Sequence, residues 1–264
     1  MSPEALDSQE PGAKELPLAS QWSKKWQLPL ASGQTSNVED FIKKASAQDL
    51  SQLGLQTIPR PVFGTDLELQ PVEQRLKYVQ EYITAFQYNH TPSTYFDQNK
   101  QRPLCRILST ARDIVRQGLP IKCVEAVFLA LLLTAGWKDL DRIPVGFKTC
   151  IAGHVYRHIV LAVRHPETGR WGALGLSRRA ELMDKALTYA SLADLLQNYI
   201  TSYMRWWHTV LRIRIGLPVP HDVMYDGQVT GQEWAGVAVK IDQHAAKADE
   251  LWAAHVTDKK GFKA

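Results

Sequence analysis

The segment that decides the fold reads Leu119-Pro120-Ile121-Lys122-Cys123-Val124-Glu125-Ala126-Val127. Gly118 and Pro120 mark a boundary between two elements, since glycine is favoured just after a helix and proline in the first turn of the next one. Residues 121–134 are almost wholly apolar, a composition typical of a helix that is buried on all sides. We therefore predict a buried helix that carries Cys123 in its first turn.

The position of Cys123 makes it a candidate nucleophile. The positive end of a helix dipole and the neighbouring Lys122 both favour the thiolate, which is the reactive form of cysteine. A free cysteine is nevertheless more often an inert buried thiol. A catalytic role therefore requires partner groups elsewhere in the chain.

Two amphipathic helices are predicted before the buried one. Apolar residues recur at spacings of three and four over residues 72–86 and again over residues 104–115, which places them on one face of each helix. Gly118 supplies the C-terminal stop of the second. Together with the buried helix they form a helical layer.

Extended segments dominate the second half of the chain. Residues 156–163 and 171–176 are rich in β-branched and aromatic side chains and are separated by a turn at 165–169, which predicts a β-hairpin. Residues 147–150, 209–215 and 237–241 are also interpreted as extended, Ser191 as the cap of a further helix, and the chain closes with a helix. Helices followed by antiparallel strands indicate an α+β fold.

The chain of 264 residues is divided by composition into four parts. Residues 1–20 are predicted to be a disordered tail, because they are rich in Pro, Ser, Gln and Glu. Residues 21–118 form a predicted N-terminal helical subdomain, with short helices at 22–26 and 37–50 and an extended linker at 58–61. Residues 119–257 form the predicted catalytic subdomain, and residues 258–264 a C-terminal tail.

The charge distribution indicates the kind of partner, and the cysteine content indicates the redox compartment. Residues 119–179 hold nine Lys or Arg against four Asp or Glu, which favours an acidic partner. No nucleic-acid motif accompanies this charge, and no stretch has the length of a membrane span. Three cysteines and no signal-peptide pattern favour free thiols in a reducing, cytoplasmic compartment. We expect no nucleic-acid or membrane partner.

His158 and Ser177 are the candidate partners of Cys123. A nucleophilic thiol needs a base within hydrogen-bonding reach, and the base needs an orienting group. His158 lies near the start of the first hairpin strand, and the hairpin register places Leu176 or Ser177 opposite it. Ser177 would orient the imidazole through its hydroxyl or a backbone carbonyl. Its alternative role is the N-cap of a short helix over residues 180–183.

Basic residues beside these candidates predict an anion site. Arg178 and Arg179 in a first helical turn do not compensate the helix dipole, but with backbone N–H groups they bind anions. A carboxylate is the natural guest, and Lys122 would hold it next to the thiol. The alternative is that the three cations form a solvated surface.

The spacing of cysteine and histidine residues does not predict a metal site. Cys150, His154 and His158 are spaced by four, which aligns side chains only on a helix, whereas this region is extended. No Cys-x-x-Cys or His-Glu-x-x-His motif is present. We therefore expect no metal and no cofactor.

Long motifs stand at residues 88–91, 119–127, 147–149, 156–161 and 172–179, with residues 221–222 and 233–234 further along. Together these motifs strongly resemble the vasohibins. That resemblance implies a transglutaminase-like cysteine protease core, in which a nucleophile helix packs on a small antiparallel sheet. It implies Cys123, His158 and Ser177 as catalytic residues, Lys122 and Arg178 as the clamp for a substrate carboxylate, and Tyr88 as an active-site tyrosine that donates to the oxyanion.

The resemblance also implies a substrate and partners. Vasohibins remove the C-terminal tyrosine of α-tubulin, so we expect a cytoplasmic tubulin carboxypeptidase that is associated with microtubules. Animal members need a small helical partner, the small vasohibin-binding protein. Two alternatives stay open: acyl transfer to an amine in place of water, and a microtubule- or partner-binding module whose triad is vestigial.

Overall fold

The computed structural model describes residues 69–221, 237–239, 248–250 and 253–254. All of them belong to one compact unit, Ile58–Ala264. The predicted tails at 1–20 and 258–264, the short helices at 22–26 and 37–50, and the linker at 58–61 lie outside the described residues. The predicted subdomain boundary at 118/119 stays a prediction.

Among the described residues, four complete α-helices form where the sequence predicts helices. Gly118 caps the second helix in the left-handed region, with φ 64°, as expected of a glycine stop. The helix expected at the end of the chain is represented by helical residues at 248–250 and 253–254. The helices are α1 Val72–Ala85, α2 Leu104–Gln117, α3 Cys123–Leu133 and α4 Leu192–Arg205.

The central helix starts later than Pro120 indicates. Its first residue is Cys123, and Lys122 occupies the N-cap position with extended backbone angles. Ile121, two residues before the helix, forms a parallel β-bridge with Tyr88. There the Ile121 N–H donates to the Gln87 carbonyl at 3.2 Å and the Ile121 carbonyl accepts from the Asn89 N–H at 2.7 Å. Ile121 cannot be helical while it makes these bonds, so the helix begins at the cysteine.

Six strands form one sheet in the order β4-β3-β2-β1-β5-β6, and each neighbouring pair is antiparallel. The predicted α+β class is thereby confirmed. The extended segment expected at 147–150 is part of a longer strand, and β4 was not predicted, because its short, mixed sequence has no alternation. The strands are β1 Asp141–Ile151, β2 His154–Arg164, β3 Trp171–Leu174, β4 Lys185–Tyr189, β5 Thr209–Ile215 and β6 Val237–Val239.

The predicted hairpin is confirmed as β2 and β3. The turn closes with the Gly169 N–H on the His165 carbonyl at 2.9 Å, and Gly169 has φ 67°. The pairing runs to Leu161 opposite Leu174 and stops there. Continuing the same register would bring Ser177 opposite His158, but the pairing of β2 with β3 ends before these two residues.

Helices cover the sheet on both faces. One hydrophobic cluster joins α1, α2 and α3 to alternate residues of the sheet, including Ile159 and Leu161 of β2. A second joins α4 to the other face, including Val160 of β2 and Phe147 of β1. Residues 159–163 of β2 are therefore buried between two helical layers, and His158, which precedes them, lies at the edge of both cores.

Side chains of Ser191 and Asp249 cap the N-terminal end of α4. The Ser191 hydroxyl accepts from the Asp194 N–H at 3.0 Å, which confirms the predicted cap. The Asp249 carboxylate accepts from the Leu192 and Ala193 N–H groups, both at 2.9 Å. Within the described ranges, no helix is both long and apolar enough to cross a bilayer.

Candidate active site

Cys123 lies at the N-terminal end of α3, where the helix meets β2. The residue is partly exposed, and the backbone N–H of Ile159 forms a hydrogen bond to its sulfur. Because Ile159 follows His158 in the strand, this contact places the thiol next to the part of β2 that carries the candidate base.

The thiol is not held as a thiolate. Burial raises the pKa of Cys123, and the negative charge of Glu125 raises it further, whereas the Ile159 N–H and the charge of Lys100 act in the opposite direction. The N-terminus of α3 does favour the thiolate, through the Val124 N–H, but desolvation of the charged form outweighs this effect, so the thiol pKa is raised.

His158 is oriented by a backbone carbonyl. Its Nε2 lies 2.8 Å from the Leu182 carbonyl oxygen, and its ring stacks on Phe147 with centroids 6.4 Å apart. Because a carbonyl only accepts hydrogen bonds, Nε2 carries the proton. Burial lowers the pKa of His158 to about 4, so the ring is neutral near pH 7. Nδ1 is left as the basic nitrogen.

The depressed pKa of His158 makes folding stability depend on pH. The group has its ordinary pKa of about 6.5 when unfolded and about 4 when folded, so protonation favours the unfolded chain. The stabilisation is complete above about pH 6.5 and is lost as the pH falls towards 4, by about 3 kcal/mol in the free energy of unfolding. Urea unfolding at pH 7 and pH 4 would measure it. His158→Gln should lose less stability than the wild type over this interval; equal losses would contradict the assignment.

Ser177 does not contact the imidazole through its hydroxyl. Its Oγ accepts instead from the Arg179 N–H at 3.3 Å. The short helix expected after it is a single 3₁₀ turn, Ala180–Leu182, preceded by Arg179. Ser177 is therefore not its N-cap, because the helix starts two residues later than a cap at Ser177 would require and extends for one turn only. The catalytic role of Ser177 stays a prediction.

The Leu182 carbonyl was missed by sequence reasoning. A backbone acceptor has no residue signature, so nothing in the sequence could indicate it. It is held by its surroundings: the Tyr199 hydroxyl donates to the next carbonyl, that of Met183, at 2.6 Å. Because Tyr199 is completely buried in the α4 layer, the 3₁₀ turn is fixed relative to His158.

Tyr88 and Arg178 lie together near the thiol. The Arg178 guanidinium lies over the Tyr88 ring, 5.9 Å from its centroid. Burial raises the pKa of the Tyr88 phenol, Cys123 raises it further, and Arg178 lowers it. The phenol is consequently a hydrogen-bond donor at neutral pH, close enough to Cys123 for the two groups to interact electrostatically.

Lys122 and Arg179, the other two cations of the predicted anion site, make different contacts. The Lys122 ammonium donates to the Pro92 carbonyl at 3.0 Å, which leaves two of its three donors for a ligand. Arg179 stacks on Trp206, with its guanidinium 3.9 Å from the ring centroid. Arg178 therefore lies over Tyr88 at the thiol, whereas Arg179 belongs to an aromatic surface contact.

A buried glutamine positions the segment that leads to Arg178. The Gln80 amide donates to the Gly175 carbonyl at 2.8 Å and accepts from the Gly175 N–H at 3.1 Å. Gln80 thereby bonds both backbone groups of Gly175, the residue that follows β3. Gln80 was predicted only to lie on a helix, and a polar residue next to the apolar face of α1 was the available signal.

The metal-binding alternative has no geometric support in the part of the chain that is described. Cys150 lies on β1 and His154 and His158 on β2, so the spacing of four does not align them. Among the described residues, no group of three His, Cys, Asp or Glu side chains is arranged to hold a metal ion.

Comparison with known proteins identifies relatives. The sequence model of the family described as Vasohibin matches residues 13–253. The chain is 39% identical over 189 residues to the mouse (Mus musculus) protein Tubulinyl-Tyr carboxypeptidase 1, a match that covers 72% of this chain and 49% of the mouse protein. The chain thus spans about half the length of this curated relative.

Proposed function

The chain belongs to the vasohibin family, and from this premise we propose that it is a thiol carboxypeptidase that removes the C-terminal tyrosine of α-tubulin. The name of its mouse relative supports the substrate. The observation that supports the chemistry is the position of Cys123 at the start of α3, where its sulfur accepts a hydrogen bond from the Ile159 N–H. His158 precedes Ile159 in β2, and its Nε2 donates to the Leu182 carbonyl. That hydrogen bond leaves Nδ1 as the base.

The reaction starts from a neutral pair. As the sulfur of Cys123 attacks the carbonyl carbon of the last peptide bond, Nδ1 of His158 takes the thiol proton. The resulting imidazolium returns that proton to the leaving tyrosine amine, the C–N bond breaks, and a thioester remains. Water, deprotonated by His158, then hydrolyses the thioester and restores the thiol. Because burial raises the thiol pKa and lowers the imidazole pKa, proton transfer before attack is unfavourable, and the proton moves only as the sulfur attacks.

Tyr88 is the proposed donor to the oxyanion of the tetrahedral intermediate. Its phenol is protonated at neutral pH, because burial and Cys123 raise its pKa. A hydrogen-bond donor placed where negative charge develops stabilises the transition state more than the ground state. The parallel bridge to Ile121 holds Tyr88 at a constant distance from the start of α3.

Lys122 and Arg178 are the proposed clamp for the free carboxylate of the terminal tyrosine. A clamp of two cations admits a chain end and rejects an internal peptide bond. Arg178 and the Tyr88 ring, on which it lies, would contact the end of the substrate together. Ser177, the residue before Arg178, has its side chain bonded within this same segment.

A row of cations next to the site suits the acidic tail of tubulin. Lys148 on β1 pairs with Arg157 on β2 and with Arg212 on β5, so the three side chains point to one face, the face that carries Ile159 and α3. Among the described residues none of the three forms an ion pair. Like charges directly opposite one another destabilise a sheet, so an acidic ligand across this row explains their presence.

Arg178→Glu tests the clamp. We expect kcat/KM for a glutamate-rich peptide that ends in tyrosine to fall by about 100-fold, because a charge-assisted contact is replaced by repulsion. Arg116→Glu makes the same charge change on α2 and should leave kcat/KM within about twofold, since most exposed substitutions are nearly neutral. Unchanged kinetics for Arg178→Glu would refute the clamp.

The proposed setting is the cytoplasmic microtubule cytoskeleton, with a small helical partner protein as in animal vasohibins. The deciding experiment is release of free tyrosine from microtubules by the chain alone and with that partner. Mass spectrometry of the product separates hydrolysis, which removes tyrosine, from acyl transfer, which adds the mass of an amine. No release in either condition would favour the binding-module alternative.

A further inference from the structure

A tryptophan follows α4 at a position where glycine is usual. Trp207 comes directly after the C-cap Trp206 and has φ 60°. Its N–H donates to the Met204 carbonyl and the His208 N–H donates to the Tyr203 carbonyl, both at 3.0 Å. These are the two bonds of a Schellman motif, in which glycine or asparagine normally takes the left-handed position. A bulky residue at positive φ is strained, so a glycine would end this helix at lower cost.

The side chain of Trp207 does not repay that strain by packing. It is 85% exposed, and the hydrophobic stabilisation from a side chain is proportional to the area that it removes from water. A strained residue that the fold does not need is a sign of function. Tryptophan is also among the residue types that are enriched at protein interfaces. The indole of Trp207 is therefore best explained by contact with another molecule.

Other exposed apolar side chains surround this position. Of the eight large apolar residues that are exposed in the described part of the chain, five lie at this end of the sheet. Cys150 of β1 is opposite Val155 of β2 and opposite Thr209 of β5, so the tip of the β1–β2 hairpin lies beside the segment that joins α4 to β5. Clustered exposed apolar groups mark an interaction site. The five residues, which we call the apolar patch, are Val155, Tyr156, Met204, Trp207 and Leu211.

The apolar patch borders the candidate active site. The Trp206 ring lies under the Arg179 guanidinium, 3.9 Å from it, and the Trp206 indole N–H donates to the Glu181 carboxylate at 3.3 Å. Glu181 belongs to the 3₁₀ turn whose Leu182 carbonyl accepts from His158. A protein whose C-terminal tail enters the site therefore has its remaining surface close to the apolar patch.

We propose that the apolar patch, with Trp207 as its anchor, docks the folded part of the protein whose C-terminal tail enters the site. This deepens the proposed function and rests on it, so the occupant is tubulin within the microtubule, beyond its tail. Arg179 and Arg205, both exposed beside the patch, suit the acidic surface of such a partner. Tryptophan and arginine are also the residue types most enriched at binding hot spots.

Co-sedimentation with microtubules tests the docking in the Cys123→Ala background, where no tail is cleaved. Trp207→Asn keeps a residue that tolerates positive φ, and it should weaken binding at least about tenfold, the size of a lost interface anchor. The loss should persist on microtubules whose C-terminal tails have been removed with subtilisin. Leu69→Asn is the matched control, because Leu69 is 84% exposed ahead of α1, and it should bind within about twofold of its parent.

Tyrosine release by the otherwise unaltered chain gives a second measurement. Trp207→Asn should lower kcat/KM on microtubules by about tenfold. On a glutamate-rich peptide that ends in tyrosine, kcat/KM should stay within about twofold of the wild type, because a peptide has no folded part to dock. Equal losses on both substrates would overturn the proposal, since they would place Trp207 in the site itself.

The other outcomes also decide the proposal. Unchanged co-sedimentation of Trp207→Asn overturns it, as does a loss that disappears once the tails are removed, which would assign the apolar patch to the tail. A wild-type dimer that Trp207→Asn dissociates would assign the patch to a second copy of this chain. Trp207→Asn should melt at or above the wild-type temperature; a lower temperature would show that the indole is structural. Absence of tyrosine release by the wild type would instead contradict the carboxypeptidase and leave the binding result standing.

Discussion

Cys123→Ala should abolish release of the C-terminal tyrosine, with kcat/KM at least about 10⁴-fold below the wild type. The reason is that no other group can form the thioester, so the reaction reverts to unassisted attack by water. The fold should persist, because the lost sulfur is small and partly exposed. Free tyrosine from microtubules, measured against circular dichroism and microtubule co-sedimentation, separates lost chemistry from lost structure.

Cys105→Ala and Cys150→Ala are matched controls. Both cysteines are free and partly exposed like Cys123, but they lie on α2 and β1, away from the start of α3. Each variant should retain wild-type activity within about twofold. Tyrosine release by Cys123→Ala at a wild-type rate would show that the thiol is not the nucleophile.

His158→Gln should lower kcat/KM by about 10³-fold, the range in which a positioned general base contributes. The glutamine amide nitrogen can still donate to the Leu182 carbonyl, as His158 Nε2 does, but it offers no basic nitrogen in place of Nδ1. The loss should therefore appear in kcat more than in KM, since the substitution leaves the proposed carboxylate clamp of Lys122 and Arg178 in place. Initial rates over a range of peptide concentrations measure both constants.

Ser177→Ala is the comparison that separates the two possible orienting groups. Because the Ser177 hydroxyl is bonded to the Arg179 N–H and the imidazole to Leu182, we expect a loss below about tenfold, the size of one displaced neutral hydrogen bond. A loss as large as that of His158→Gln would show that the serine hydroxyl, and not the Leu182 carbonyl, holds the base during turnover.

The elements that the sequence predicted well are those with strong local periodicity. α1, α2 and the β2–β3 hairpin follow the spacing of apolar side chains, and Gly118 and Gly169 mark chain reversals that need positive φ. β4 escaped prediction because a short strand is stabilised by its neighbour β3 and carries little pattern of its own. The start of α3 was displaced because Ile121 pairs with a segment more than thirty residues earlier.

The groups of the candidate site also differ in how far the sequence could indicate them. Glu125 was within reach of the sequence, as the one acidic residue in an apolar run and the third residue after an N-cap. Gln80 showed only as a polar residue beside an apolar helix face. The Leu182 carbonyl could not be found, because every residue has a carbonyl and only the fold decides which one meets an imidazole.

The sequence by itself determined the α+β class, the placement of Cys123 at the start of a buried helix and the family to which the chain belongs. These follow from local patterns that a chain carries wherever it folds. Only the tertiary structure decided the protonation of the site. The burial that raises the thiol pKa and lowers the imidazole pKa comes from α3, β2 and α4 meeting at one point. Desolvation depends on what surrounds a group in space, and neighbours in space are set by packing rather than by position along the chain.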